Sequence, residues 1–333
     1  MKTTLKDIAE YVGTSVSTVS FALNDKNRVS KEMKEKILKA VEELEYIPNK
    51  NAQRLKGNKF NEICLIISGP NYEYFSNPYL FKIVQGVNLI LSQKNYNLTI
   101  KTTTSKDEEK FIKAEIKSDF YDGFILWGTR VKLNVFDSFF SYKVPIVSIA
   151  RFSENSISVI IDDYKGGNIG TNFLIEKGYK KIVFLGKLDG ISSAENRLKG
   201  YLDALNLNNI PINNDLIFEG NFYQEDGYKI TKLLLKKFKG KFDSIFAASD
   251  LMAIGCLRAL KEENIKIPEE IAIIGFDNIE NSDILYKALT TINTPILTLG
   301  SLAAEKLITL IEKKELKNKI DILDVNLVKR ETV

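Results

Sequence analysis

The chain has 333 residues, of which 44% are hydrophobic and 27% are charged. This composition predicts a folded, soluble protein of about two domains plus an appendage, and it excludes a disordered chain. The absence of histidine excludes Ser-His-Asp and Cys-His nucleophiles, histidine bases and histidine metal ligands. Two isolated cysteines cannot build a zinc site, so neither a metal nor a cofactor is expected.

No apolar run approaches the roughly 18 residues of a membrane span. The N-terminal segment MKTTLKDIAEYVG reaches acidic residues at once and lacks an apolar stretch, so a secretory signal is not expected. Cys64 and Cys256 lie in apolar runs and are predicted to be buried free thiols. These features together predict a cytoplasmic protein.

The first sixty residues show helical patterns and few strand signals. Leu5, Ile8, Ala9 and Val12 recur at helical spacing, and Gly13 then interrupts the pattern. Capping residues at Ser15 and Ser30 begin a second and a third helix. The residues predicted to face inward in these two helices are Val16, Val19, Leu23, Ile37, Leu38, Val41 and Leu44.

This helical segment also carries the whole net charge of +4, with 12 Lys and Arg against 8 Asp and Glu, whereas the rest of the chain is balanced. A solvated helical face accounts for such a surplus. A small module that binds a polyanion accounts for it equally well.

From residue 61 onwards, apolar runs alternate with amphipathic helices. The predicted strands are 63–67, 97–101, 123–127, 145–149, 158–161, 181–185, 244–248 and 271–275. The predicted helices are 79–94, 106–118, 164–178, 193–206, 223–238, 250–264 and 296–313. This alternation predicts an α/β protein with doubly wound parallel sheets. Because one sheet would need about ten strands, two lobes are expected, with crossovers near 161 and at 293–295.

The segments TLKDIAEYVGTSVSTVSFALN and VSKEMKEKILKAVEELEYIPN strongly resemble the helix-turn-helix DNA-binding head of the LacI/GalR (lactose repressor) family. Asn77-Pro78-Tyr79, SDLMAIGCLRAL (249–260), IIGFDN (273–278) and LTTINTP (289–295) continue the resemblance in order and spacing. It implies a three-helix head and a two-lobed, periplasmic-binding-protein-like core. The implied domains are a head at 1–48, a hinge helix and linker at 49–60, a first effector-binding lobe at 61–161 and 293–322, and a second at 162–292 and 323–333.

By position, the resemblance implies that Val16 and Ser17 enter the major groove, with Phe21 one turn later. Many members carry Arg where this chain has Phe21, and Phe cannot form the bidentate contact of Arg to guanine. The residues implied as phosphate contacts or helix caps are Thr4, Ser15, Thr18, Ser20 and Asn24.

The segment NKNAQRLKG resembles the family's hinge helix, which begins here at Asn49. The resemblance implies that Leu55 wedges into the minor groove, flanked by Arg54 and Lys56 at phosphates. An ordinary linker is the alternative interpretation.

The resemblance also implies a small effector, expected to be a sugar or sugar derivative, between the lobes. The implied ligand residues are Ser68, Tyr79, Trp127, Arg151, Arg197, Phe222, Ser249, Asp277 and Thr294. Three positions depart from the common pattern: Ala150 replaces an Asp, Ser249 an Asn, and Thr294 a Gln. No specific hexose is therefore assigned. Asp277 is expected to have no buried partner when the cleft is empty.

These features predict a transcriptional regulator, a repressor rather than an activator, that binds a near-palindromic operator in double-stranded DNA as a homodimer. A dimer is expected because paired heads need two-fold symmetry and because no leucine heptads follow the last strand-like segment. A sugar-binding transport component with the same two-lobed fold is the alternative. An enzyme using Asp162, Asp163 or Asp277 is a third interpretation, but the sequence has no glycine-rich phosphate loop that would support it.

Overall fold

The computed structural model describes residues 3–23, 28–46, 60–69, 77–104, 106–187, 190–238 and 240–333. The chain divides into two compact units, Met1–Phe60 and Asn61–Val333. In the described ranges, no helix is both long enough and apolar enough to span a bilayer.

The first unit contains the helices α1 (Leu5–Val12), α2 (Val16–Leu23) and α3 (Lys31–Glu43). A capping box begins α1: the Thr4 side chain accepts from the Asp7 amide, and the Asp7 carboxylate accepts from the Thr4 amide at 2.7 Å. Gly13 ends α1 with a φ of 73°, a left-handed conformation that favours glycine and turns the chain tightly towards α2. These local signals produce the helix-turn-helix geometry.

Two of the inward-facing predictions for this unit are wrong. Val16 is 44% exposed and Leu38 is 45% exposed. The inner positions of their helices are taken instead by the small residues Ala22 and Ala40, which lie beside Val19 and Ile37 in the core. Alanine lets the three helices approach closely, so large apolar residues alone are a poor guide to the inner face of so small a bundle.

The second unit alternates strands and helices. Its strands are β1 (Glu62–Ser68), β2 (Asn97–Thr103), β3 (Gly123–Trp127), β4 (Ile146–Ile149), β5 (Ser158–Ile161), β6 (Ile182–Lys187), β7 (Ile217–Glu219), β8 (Ser244–Ala247), β9 (Ala272–Asp277), β10 (Thr290–Asn293), β11 (Ile320–Leu323) and β12 (Asn326–Val328). Its α-helices are α4 (Pro78–Gln93), α5 (Glu108–Ile116), α6 (Leu133–Phe139), α7 (Asp163–Glu176), α8 (Ser192–Leu207), α9 (Gln224–Lys237), α10 (Asp250–Glu262) and α11 (Ile296–Ile311).

The strands form two six-stranded sheets, ordered β11-β5-β4-β3-β1-β2 and β12-β10-β9-β8-β6-β7. Pairing is parallel except between β10 and β12. Neighbouring residues such as Ile63 and Cys64 point to opposite faces of β1, and both are buried, because helices cover both faces of a parallel sheet. The predicted α/β class with two parallel-sheet lobes is confirmed.

The chain passes between the sheets three times. It leaves the first sheet after β5, returns after β10, and crosses again between β11 and β12. Because the carboxyl ends of parallel strands lie at one edge of each sheet, these crossovers bring the strand-end residues of both lobes to one cleft.

Candidate functional site

The cleft between the two lobes has a volume of about 1100 Å³, including space open to solvent. Residues that end parallel strands line it on both sides, among them Ser68 and Trp127 from the first sheet and Asp277 from the second. Of the nine residues predicted from the sequence, eight line the cleft: Ser68, Tyr79, Trp127, Arg151, Arg197, Phe222, Ser249 and Asp277.

Three aromatic residues of the cleft have backbone positions that neighbouring residues or secondary structure determine. Asn77 caps α4 by accepting from the Tyr79 amide at 3.0 Å, which fixes the start of the helix that carries Tyr79. Trp127 is the last residue of β3. Phe222 has a φ of 68°, and the Ser249 hydroxyl donates to its carbonyl at 3.1 Å. A bulky residue held in a left-handed conformation is a marker of a functional constraint.

Arg197, which is 5% exposed, is the electrostatic centre of the cleft. Its Nε donates to Asp163 Oδ1 at 2.8 Å, and its Nη1 donates to the Ala248 carbonyl. Its guanidinium lies 3.6 Å from the ring centroid of Phe276. From the sequence, Asp163 is predicted only as a possible enzymatic acid and not as the partner of Arg197. No spacing signal links these two positions, because the pair forms between different helices.

The expectation that Asp277 has no buried partner is wrong. Its Oδ1 lies 3.7 Å from Arg197 Nη1, although this atom accepts no hydrogen bond from the described residues. Burial raises the pKa of Asp277 well above its ordinary value, and the positive charge of Arg197 opposes that shift. Asp277 is therefore a buried carboxyl group that forms an ion pair with Arg197, and its Oδ1 has an unused acceptor position.

Thr294 does not appear among the residues that line the cleft. Its hydroxyl and amide both donate to the Asp277 carbonyl, at 3.1 Å and 3.3 Å. Asp277 needs this support, because its φ is 119°. Thr294 therefore holds the backbone of a lining residue.

Arg151 lines the cleft, but its guanidinium bonds to the protein itself. It donates to the carbonyls of Thr129 at 2.7 Å and Val131 at 2.6 Å, and it stacks 4.6 Å over the Phe136 ring. Ala150, which precedes it, has a φ of 62° and contributes only a methyl group. This part of the first lobe offers a ligand less polar reach than the predicted arginine contact implied.

A second buried carboxylate lies behind Asp277. Asp250 is 0% exposed; it accepts from the Thr291 hydroxyl at 2.6 Å and from the Ile279 amide at 2.9 Å. A Cβ at Gly275 would approach Asp250 Oδ1 to 2.2 Å, so glycine is needed there. Through Ile279, Asp250 holds the loop that follows Asp277.

Burial raises the pKa of Asp250 to about 7, which makes a prediction about stability. Between pH 4 and pH 7 the folded state binds more protons here than the unfolded state, so this group lowers the free energy of unfolding as pH rises. We expect the free energy of unfolding of Asp250→Asn, relative to that of the wild type, to rise by up to about 4 kcal/mol over that pH range. Urea unfolding at several pH values measures this gain.

The control for this prediction is Asp324→Asn. A hydrogen bond from Lys165 lowers the pKa of this exposed carboxyl. Replacing the carboxyl should therefore slightly lower the free energy of unfolding, relative to that of the wild type, as pH rises. Parallel pH profiles for wild type and Asp250→Asn would contradict the prediction.

In the head, the start of α2 is exposed. Ser15 caps the helix by accepting from the Thr18 amide at 3.1 Å, and its hydroxyl lies 2.8 Å from those of both Ser17 and Thr18. Val16 and Ser17 point to solvent, whereas Ser20 is buried and so is poorly placed for a phosphate contact.

Phe21 is half-buried, and the Arg28 guanidinium lies 5.5 Å over its ring. Thr4 serves as the cap of α1. The other predicted DNA-binding residues lie outside the described residues: Asn24, Asn49, Arg54, Leu55 and Lys56.

Two family models match different parts of the chain. The family described as bacterial regulatory proteins, lacI family, matches residues 4–49, and the periplasmic binding protein-like domain matches residues 171–333. The HTH-type transcriptional regulator RegA of Clostridium saccharobutylicum is 31% identical over 100% of this chain and 99% of its own. The ribose operon repressor of Halalkalibacterium halodurans is 30% identical over 99% of this chain and 97% of its own.

A solved structure of the lac repressor dimer, bound to operator and the anti-inducer ONPF, is 26% identical with a TM-score of 0.88, covering 100% of this chain and 99% of that one. These similar proteins are transcriptional regulators and repressors, which supports neither the enzyme nor the transport hypothesis. The chain belongs to the LacI family of bacterial regulatory proteins and is a transcriptional regulator.

Proposed function

We propose that the protein is a cytoplasmic, homodimeric repressor that binds a near-palindromic operator through its head and a small carbohydrate effector in its cleft. The observation that carries this proposal is the Arg197 cluster beside three aromatic side chains, on the same chain as a helix-turn-helix whose second helix begins with exposed residues. The full-length likeness to named repressors supports it.

The charges of the cleft favour a neutral effector rich in hydroxyl groups. Arg197 lies between Asp163 and Asp277, so an anion such as a sugar phosphate meets a cation whose charge is already balanced. Asp277 Oδ1 has capacity to accept from a ligand hydroxyl. Tyr79 and Trp127 offer faces for the apolar C–H surfaces of a sugar ring. The relative named as a ribose operon repressor is consistent with such a ligand.

We assign 1–48 to the head and 49–60 to a hinge helix and linker. The strand order supports a first lobe of 61–161 and 293–322 and a second of 162–292 and 323–333. In this arrangement, an effector that contacts both lobes alters their relative position, and the first lobes of a dimer pass that change to the paired hinges.

The test is a gel-shift titration with duplex DNA from upstream of the protein's own gene. We expect tight binding to a full near-palindromic site, weak binding to a half-site, and weaker binding still to a scrambled duplex. Leu55→Ala should weaken binding to the full site far more than to scrambled DNA. Lys56→Ala should weaken both, with a salt slope smaller by about 1.

Equal losses for both DNA types in Leu55→Ala would contradict the minor-groove wedge. Equal affinity of the wild type for full site and half-site would contradict the homodimer. Thermal-shift screening against sugars, nucleosides and sugar phosphates then identifies the effector, since a ligand at 100 times its dissociation constant stabilises the fold by about 2.7 kcal/mol.

A further inference from the structure

One wall of the cleft is formed by a loop, which we call the wall loop, at residues 128–131. It follows Trp127 directly, and its first three residues line the cleft. Gly128 has a φ of 74°, and a Cβ there would lie 2.5 Å from the Ser68 carbonyl oxygen. The wall loop is therefore pressed against the end of β1 at a position that only glycine fits.

Arg151 donates to two carbonyls of this loop, those of Thr129 and Val131. Loops usually satisfy their amides with water or with local turns, but here a buried side chain from a different element accepts one of them.

That side chain is Glu108, the first residue of α5, which is 2% exposed. Both of its carboxylate oxygens lie 3.1 Å from the Arg130 amide nitrogen. Burial raises the pKa of Glu108, whereas the neighbouring Ser68 hydroxyl, the Arg130 amide and the charge of Arg151 oppose the shift. A buried carboxyl is costly unless it is paired or hydrogen-bonded, and the Arg130 amide and the charge of Arg151 reduce that cost here.

We propose that Glu108 is a positioning residue of the effector site. It does not line the cleft, and it acts through the Arg130 amide. The carboxylate accepts from one amide of the wall loop while Arg151 donates to two of its carbonyls, so both a donor and two acceptors of the loop backbone are held by buried or half-buried side chains. This inference rests on the proposed function in one respect only, that the wall faces an effector.

The chain supplies both a reporter and a matched control. Trp127 is its only tryptophan and adjoins the wall loop, so its fluorescence and its quenching by acrylamide report on this wall. Glu109, beside Glu108 on the same helix, is exposed and forms an ion pair with Lys113 at 2.6 Å. Glu109→Ala and Glu109→Gln therefore remove an equivalent charge without touching the loop.

The experiment uses the full-length protein without DNA or effector. In Glu108→Ala, hydrogen exchange at the Arg130 amide should accelerate by about tenfold or more, because a hydrogen bond to a charged acceptor is lost. Acrylamide quenching of Trp127 should rise in the same variant. Glu108→Gln keeps the side-chain volume and one acceptor oxygen, so its exchange should lie between Glu108→Ala and wild type, while both Glu109 variants match wild type.

Glu108→Gln decides the matter if Glu108→Ala fails to fold. Wild-type exchange at Arg130 and wild-type quenching in a folded Glu108→Gln or Glu108→Ala protein would overturn the proposal. Accelerated exchange spread evenly over both lobes would also overturn it, because that pattern indicates general destabilisation rather than release of one loop. None of these measurements depends on operator or effector binding, so they stand apart from the tests of the proposed function.

Discussion

Replacing Arg197 with methionine should lower the free energy of unfolding by about 3–5 kcal/mol, because it leaves two buried carboxyls without their cation. Arg197 bonds to Asp163 at 2.8 Å and lies 3.7 Å from Asp277. Methionine retains most of the apolar contact with Phe276, so the loss reports on charge more than on packing. Chemical unfolding at neutral pH measures the effect.

The matched control is Lys199→Met, two residues further along α8, where the side chain is exposed. This variant should unfold within about 0.5 kcal/mol of wild type. Burial already raises the pKa values of Asp163 and Asp277, and Arg197 opposes both shifts. Removing Arg197 should raise both pKa values further, so the variant should lose stability more steeply than wild type as pH rises.

A triple variant separates the structural from the recognition role of Arg197. Adding Asp163→Asn and Asp277→Asn to Arg197→Met removes the uncompensated charges and should restore most of the lost stability. It should not restore a response to effector, since every charged group of the cluster is gone. A triple variant as unstable as Arg197→Met alone would show that shape, and not charge, explains the single substitution.

The main strands could be predicted from the sequence because their apolar runs match burial on both faces. The predicted strand at 123–127 coincides with β3, and that at 158–161 with β5. Strand β7 has only three residues, and β11 is partly exposed. Such strands carry no hydrophobic run, and their neighbours in the sheet determine them. Helix α6 (LNVFDSF) is likewise too short for a clear period.

Prediction of the cleft from the sequence has a similar limit. Strand ends and the family resemblance located the lining residues, because topology alone brings strand ends together. Partners within the cleft could not be found in this way. Arg151 turns towards Thr129 and Val131, and Thr294 turns towards the Asp277 backbone. Side-chain direction depends on which acceptors neighbouring loops present, and those loops are distant in sequence.

Asp277→Asn should abolish the influence of the effector on operator affinity while leaving operator affinity in its absence unchanged. The substitution keeps the volume of the side chain and removes a charge that burial already disfavours, so the fold should survive. The head belongs to a separate compact unit, and its base contacts do not involve Asp277. The lost feature is one of the two side-chain oxygens that can accept from ligand hydroxyls, because the amide nitrogen that replaces it only donates.

Coupling between effector and operator is reciprocal, and this makes the measurement strict. In the wild type, the factor by which effector changes operator affinity must equal the factor by which operator changes effector affinity, typically about 5–150-fold. Operator titrations with and without the effector, paired with effector titrations with and without operator, give both factors. In Asp277→Asn both should fall to about 1, together with a loss of effector affinity. A folded variant that retains the wild-type factors would remove Asp277 from the effector site, and with it the residue on which the carbohydrate assignment most depends.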